Sequence, residues 1–219
     1  MITSEEYAEF ERRRDAAFQA ELEQEILEKK RQQVKKAIEE SGLKPQLKNK
    51  TFDNYHDKKS WQKRAKRLCQ EYAESPDGKW LLVSGPTGCG KTHLCTAVVK
   101  ALYDKQIPVW YMLYRDDINS LKPMQGVDPE ERGRKMKLFK TVKALYIDDL
   151  YKGGITKAEL SVMFELIDYR YRNNLQTIVS TELELQQMID IESAIAGRII
   201  EKSKKVLIKY GEDRNYRLS

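Results

Sequence analysis

The 219-residue chain is 40% hydrophobic and 34% charged, a balance that suits one medium core plus an appendage. No stretch approaches the roughly 20 apolar residues of a membrane span, and the opening "MITSEEYAEFERRR" lacks the apolar run of a signal peptide. Three cysteines without C-x-x-C spacing and two histidines argue against a disulfide framework or zinc site and for a reducing, cytoplasmic setting, while a net charge of +6 permits nucleic-acid contact without establishing it.

From Ser4 to Glu40 there is neither Gly nor Pro, and Glu, Lys, Arg, Gln and Ala dominate. Phe18, Leu22 and Ile26 recur every four residues, which predicts one long helix with a thin apolar seam. A solvated spacer has this composition too. A narrow seam on a long helix is more economically read as an arm that lays its stripe on a partner. The expected division is therefore an arm over 1–46 and a compact domain over 47–219.

The compact part opens with a helix from about Ser60 to Ala73, followed by turn chemistry at Ser75-Pro76-Asp77-Gly78. Trp80 to Val83 then reads as a buried strand and Leu94 to Leu102 as an amphipathic helix. Further strands are predicted at Ile107 to Leu113, Val142 to Leu150, Gln176 to Glu182 and Lys204 to Tyr210. Helical patterns separate them at Asp116 to Leu121, Pro129 to Phe139, Lys157 to Asn173 and Ala194 to Glu201. Alternation of this kind implies an α/β fold with a five-stranded parallel sheet and right-handed crossovers.

Between the first strand and its helix stands Gly85-Pro86-Thr87-Gly88-Cys89-Gly90-Lys91-Thr92, which fits G-x-x-x-x-G-K-[ST] at every defined position. Glycines let the backbone N–H groups turn inward as an anion nest at a helix N-terminus. Lys91 is placed to reach the outer phosphates of ATP, and the Thr92 hydroxyl to ligate Mg²⁺. Cys89 lies inside the loop as an oxidisable thiol or simply a small residue. The apolar strand "ALYI" ends in Asp148-Asp149, which puts a carboxylate at the strand's C-terminal edge beside the phosphate loop. Asp148 is expected in the Mg²⁺ shell and Asp149 in orienting an attacking water.

Taken together, "TFDNY", "GPTGCGKTH", "LYIDDL", "STELELQQM", "IAGRIIEKS" and the terminal "NYR" resemble the DnaC/DnaI-type helicase loaders, which share an AAA+ fold with the IstB-type transposition ATPases. The resemblance runs from about Thr51 to Arg217 and lies in the order of the whole set. It implies an AAA+ core that binds ATP, with His93 closing the phosphate motif, and that hydrolyses it slowly. It also implies docking on a DnaB-type replicative ring helicase through the N-terminal helix, self-association beside that ring, and delivery of the ring to single-stranded DNA. By position, Arg198 matches the arginine finger and Arg217 the sensor-2 arginine. The polar sensor at the end of the fourth strand stays open among Ser180, Thr181 and Glu182, because many relatives carry Asn where Glu182 stands. Too little chain follows Tyr210 for the helical lid of most AAA+ proteins, as in helicase loaders, and no cysteine precedes Cys69 to build the zinc module of some loaders.

For DNA, the segment Tyr151, Lys152 and Lys157 directly follows the acidic pair, offering an aromatic face and cations. The basic run Arg134, Lys135, Lys137, Lys140 and Lys143 reads as a solvated helix face. Two other functions compete with the loader. One is an IstB-like helper of a transposase; the other is a small-molecule P-loop kinase, against which stands the want of an arginine-bearing lid.

Overall fold

A computed structural model describes residues 4–40, 43, 49–76, 78–123, 126, 128–209 and 211. In chain order its elements are α1 (Ser4–Glu40), α2 (Ser60–Glu74), β1 (Trp80–Ser84), α3 (Lys91–Asp104), β2 (Val109–Leu113), α4 (Tyr114–Leu121), α5 (Pro129–Thr141), β3 (Ala144–Asp148), α6 (Lys157–Arg172), β4 (Gln176–Thr181), α7 (Leu185–Ile191), α8 (Ser193–Lys202) and β5 (Ser203–Leu207). The long arm helix and all five strands stand where the sequence predicts them. Arg217, the boundary between arm and domain at 46/47, and Tyr210 lie outside the described residues.

All strand pairs are parallel, in the order β2-β3-β4-β1-β5. β1 is buried along its whole length, and its pleat sorts alternate side chains to opposite faces. Leu81 and Val83 pack with Ala65, Cys69, Leu94 and Val98 of α2 and α3. Trp80 and Leu82 pack with Ile118, Met163, Leu166, Met188 and Ile199 from α4, α6, α7 and α8. Two helical layers therefore enclose one sheet. β4 lies between β1 and β3, so the strand carrying Ser180 separates the phosphate loop from the acidic pair.

The sequence pattern missed α7. Seven residues make under two turns, too short for a clear 3.6-residue period, and the preceding Glu184 is not among the favoured N-cap residues. Its N–H nonetheless donates to Gln187 Oε1 at 2.8 Å, and Met188 is fully buried beneath the helix. The predicted strand Val142 to Leu150 ends earlier, at Asp148, because Asp149 turns to φ +56°.

Arg170, in the last turn of α6, is wholly buried and forms no ion pair among the described residues. Its guanidinium instead donates to the carbonyls of Phe139 (2.8 Å), Lys140 (3.2 Å), Val142 (2.9 Å) and Gln176, and to Thr177 Oγ1 (3.0 Å). The first two belong to the end of α5, where the helix dipole is negative and carbonyls lack helical partners. Burial pushes the group down to about 9, which leaves it charged at neutral pH. Arg170 thus closes α5 and joins it to the start of β4. Replacing it with Met keeps an apolar stem but strands those carbonyls. Arg170→Met is expected to destabilise by roughly 3 kcal/mol, lowering the thermal midpoint by about 6–12 °C for a chain of this size; an unchanged midpoint would contradict the assignment.

Candidate functional site

The phosphate loop joins β1 to α3 at the sheet's C-terminal edge. Gly90 caps α3 with φ +93°, and a Cβ there would lie 2.9 Å from the Tyr55 ring. At Gly85 the constraint is proximity: a Cβ would meet Ile208 Cβ at 2.7 Å and its carbonyl at 2.9 Å. A side chain at either position would displace a neighbour. Lys91 is 5% exposed and its Nζ donates to Pro86 O at 3.1 Å, which holds the ammonium across the loop. Cys89 is buried and burial pushes its thiol up, so of its two readings the small packed residue holds.

Asp148 ends β3 at 3% exposure and collects four hydroxyl donors. Thr92 Oγ1 donates at 3.3 Å, Tyr146 Oη at 2.6 Å and Ser180 Oγ at short range, all to Oδ1, while Tyr111 Oη donates to Oδ2 at 2.9 Å. Burial, then the Asp148 charge, raises both phenols far above the ordinary tyrosine value, so they stay protonated donors. Neither tyrosine was singled out from the sequence. Thr92 and Asp148, named together for Mg²⁺, are thus brought into contact as hard oxygen donors of the kind that ion takes.

Asp149 sits in the left-handed region, its N–H donating to Ser180 Oγ at 3.0 Å. That turn brings its carboxylate into a cavity of about 230 Å³ bounded by residues 87–93 of the phosphate loop. Lys152 bridges Asp149 (2.8 Å) and Glu182 (3.1 Å) across one wall. Burial lowers the Lys152 pKa, but hydrogen bonds to those two carboxylates leave it raised overall. For Glu182, burial acts upward, whereas Thr87 and Lys152 bring the net value down. Of the three sensor candidates, Ser180 touches Asp148, Glu182 lines the cavity, and Thr181 donates instead to Leu150 O at 2.9 Å.

Lys50, Tyr55, His56 and Gln62 form the opposite wall. His93 fixes it. Its Nε2 lies 2.9 Å from Thr51 O and 3.0 Å from Asn54 Oδ1, and its ring meets Tyr55 edge-on with centroids 5.2 Å apart. Because Asn54 Oδ1 already accepts from Thr51 N–H (2.8 Å), both neighbours are acceptors and Nε2 carries the proton. "TFDNY" is thereby docked on "GKTH". The Tyr55 hydroxyl is buried without a partner among the described residues.

Tyr151 and Arg198 both stand outside this cavity. Tyr151, predicted as a base-stacking residue, is 4% exposed and packs edge-on against Tyr114; with both faces enclosed it has none to offer a base, and Lys152 beside it is held by two carboxylates. Lys152 and Lys157 are exposed, and Tyr151 is not. Arg198 lies mid-way along α8, where Nη2 pairs with Asp168 at 2.8 Å and the guanidinium covers Phe164 and Tyr171. It is therefore engaged on its own α6, away from the cavity.

A phosphate loop, a buried strand-end carboxylate and this strand order define a P-loop ATPase core of the AAA+ class. The chain belongs to the family of IstB-like ATP binding proteins, whose model matches residues 5–219. It is 29% identical to YqaM of Bacillus subtilis over 143 residues, 61% of this chain and 44% of that one. It is 23% identical to the replicative helicase loader DnaC of Escherichia coli K12 over 188 residues, 85% of this chain and 76% of DnaC. A crystal structure of the DnaC helicase loader superimposes with a TM-score of 0.66 at 27% identity, covering 76% of this chain and all of that one. The chain spans less than half the length of the first curated relatives it matches. No helix among the described residues is long and apolar enough to cross a membrane.

The His93 clamp has a pH signature. Burial holds His93 below its ordinary 6.5, against an opposing hydrogen bond to the Thr51 carbonyl. As pH falls, the unfolded chain takes up the proton first, so stability is complete above about 6.5 and is lost as pH drops toward the folded value. His93→Gln keeps a donor at the same place and does not titrate. The thermal midpoint of the wild type is expected to fall more than that of His93→Gln between about pH 7.5 and 5.5; parallel curves would contradict the docking role.

Proposed function

We propose that this chain is an ATP-switched loader that grips a replicative DnaB-type ring helicase with α1 and delivers it to single-stranded DNA. The observation that carries the reading is the uncovered seam of α1: Phe18 is 64% exposed, Leu22 41% and Ile26 45%. An apolar stripe left open on a 37-residue helix gains most of its burial from another molecule. The likeness to DnaC over most of the chain supplies the class of partner. In this reading ATP lies in the cavity with its outer phosphates on Lys91, Thr92 and Asp148 hold Mg²⁺, and Asp149 orients the attacking water. Hydrolysis is slow and serves as a switch, and copies gather beside the ring in the cytoplasm. Arg198 acts as a finger in trans only after leaving Asp168, which would make the finger responsive to assembly. Arg217 as sensor 2 completes the set. The family description favours one other reading, an IstB-like helper of a transposase, which would present the same ATP site to a different partner.

Burying a Phe or Leu side chain contributes about 1.5–3 kcal/mol, so losing two weakens binding by on the order of a hundredfold or more. Phe18→Asp with Leu22→Asp, or deletion of residues 1–40, is expected to abolish capture of the replicative helicase of the same host while ATP affinity persists. Capture at full affinity by the deleted protein would refute the docking arm.

A further inference from the structure

β5 is an edge strand whose pleat sends Val206 and Ile208 into the core and leaves Lys205, Leu207 and Lys209 exposed. Leu207 is 50% exposed, a large apolar side chain in an otherwise cationic row. α2 runs beside it and presents Trp61, Arg64, Ala65 and Leu68 on one face, at helical spacings of three and four. Together the two elements bound a groove of about 270 Å³ with an apolar floor of Trp61, Leu68 and Leu207 and a rim of Arg64, Lys205 and Lys209. Glu71, on the same helix, is shared by Lys204 (2.7 Å) and Arg67 (3.7 Å), and Arg64 and Lys205 form no ion pair among the described residues.

From this arrangement we infer that the α2–β5 groove binds single-stranded nucleic acid. The strand's phosphates meet the cationic rim, and the faces of its unpaired bases lie on the apolar floor. A polyanion that carries a flat apolar face at every repeat matches both halves of the groove. A duplex offers the phosphates but keeps its base faces stacked. The site differs from the Tyr151–Lys157 segment expected from the sequence, whose aromatic is enclosed. It also adjoins the nucleotide site: Ile208 on its wall closes against Gly85 of the phosphate loop, and Gln62, next to Trp61, faces the ATP cavity. Use of the groove by a loader rests on the function proposed above; the binding itself does not, and its test needs no helicase.

The test is fluorescence anisotropy of a labelled oligo-dT titrated with the full chain across a salt series, and with Arg64→Ala/Lys205→Ala/Lys209→Ala. Each phosphate neutralised contributes about 0.7 to the salt slope of a single strand. The triple variant should therefore lose about two from that slope and at least about tenfold in affinity at low salt, with ATP affinity unchanged. Leu207→Ser should weaken oligo-dT binding and leave duplex binding where it was. Lys157→Ala should match the wild type. A wild type that does not bind oligo-dT overturns the assignment, as does a triple variant with wild-type affinity and slope. It is equally overturned if only Lys157→Ala loses affinity, or if the triple variant changes the sedimentation of the protein alone and not its DNA binding.

Discussion

Burial of the Asp148 carboxylate is the constraint around which the C-terminal edge of the sheet is arranged. A carboxylate at 3% exposure is costly unless its lone pairs are used. Here four hydroxyls use them, one each from α3, β2, β3 and β4: Thr92, Tyr111, Tyr146 and Ser180. Every donor comes from a different element, so the charge is tolerated only when α3 and three strands stand in register. Chemistry and fold thereby share one set of hydrogen bonds. The same network leaves Oδ1 against Thr92, where a hard cation on the phosphates would be met by two oxygens.

Topology makes this possible. With β4 lying between β1 and β3, Ser180 sits beneath the acidic pair, donating to Asp148 and accepting from the Asp149 N–H. That contact steers Asp149 into its left-handed turn and its carboxylate toward the phosphate loop. On the far side, His93 draws the "TFDNY" segment over α3. The cavity is thus walled by one segment from before β1 and another from after β3, and its width depends on two clamps, one through Ser180 and one through His93.

Local chemistry was legible in the sequence, and tertiary chemistry was not. The phosphate loop, Asp148-Asp149 and the five strands follow from short-range rules: glycines where a backbone must bend, apolar runs of strand length, an acid at a strand end. Tyr111 and Tyr146 read as ordinary core aromatics, because nothing in "VWYML" or "ALYID" tells that their hydroxyls converge on one carboxylate 37 and two residues away. Arg170 resembles any basic residue closing a helix, and its partners on α5 lie some thirty residues earlier. For Tyr151 the converse holds: adjacency to the acidic pair suggests access, while φ +67° at that residue folds the ring into the core against Tyr114. The α2–β5 groove is not legible in the sequence because its rim is assembled from segments about 140 residues apart, a separation beyond any sequence window.

As an IstB-like AAA+ core, the molecule joins a site ordered from within to an arm and a groove that face outward. The proposed function gives one carboxylate a double role, ordering the sheet edge and receiving the metal. It is tested most directly by the thermal unfolding of Asp148→Asn in the absence of nucleotide, with ATP alone, and with ATP and Mg²⁺. An amide turns two of its hydrogens toward hydroxyls that need acceptors, so the variant should unfold at a lower temperature without ligand. It should also gain nothing when Mg²⁺ joins ATP, whereas the wild type gains a further rise. A variant with the wild-type midpoint and the same Mg²⁺-dependent rise would contradict the account.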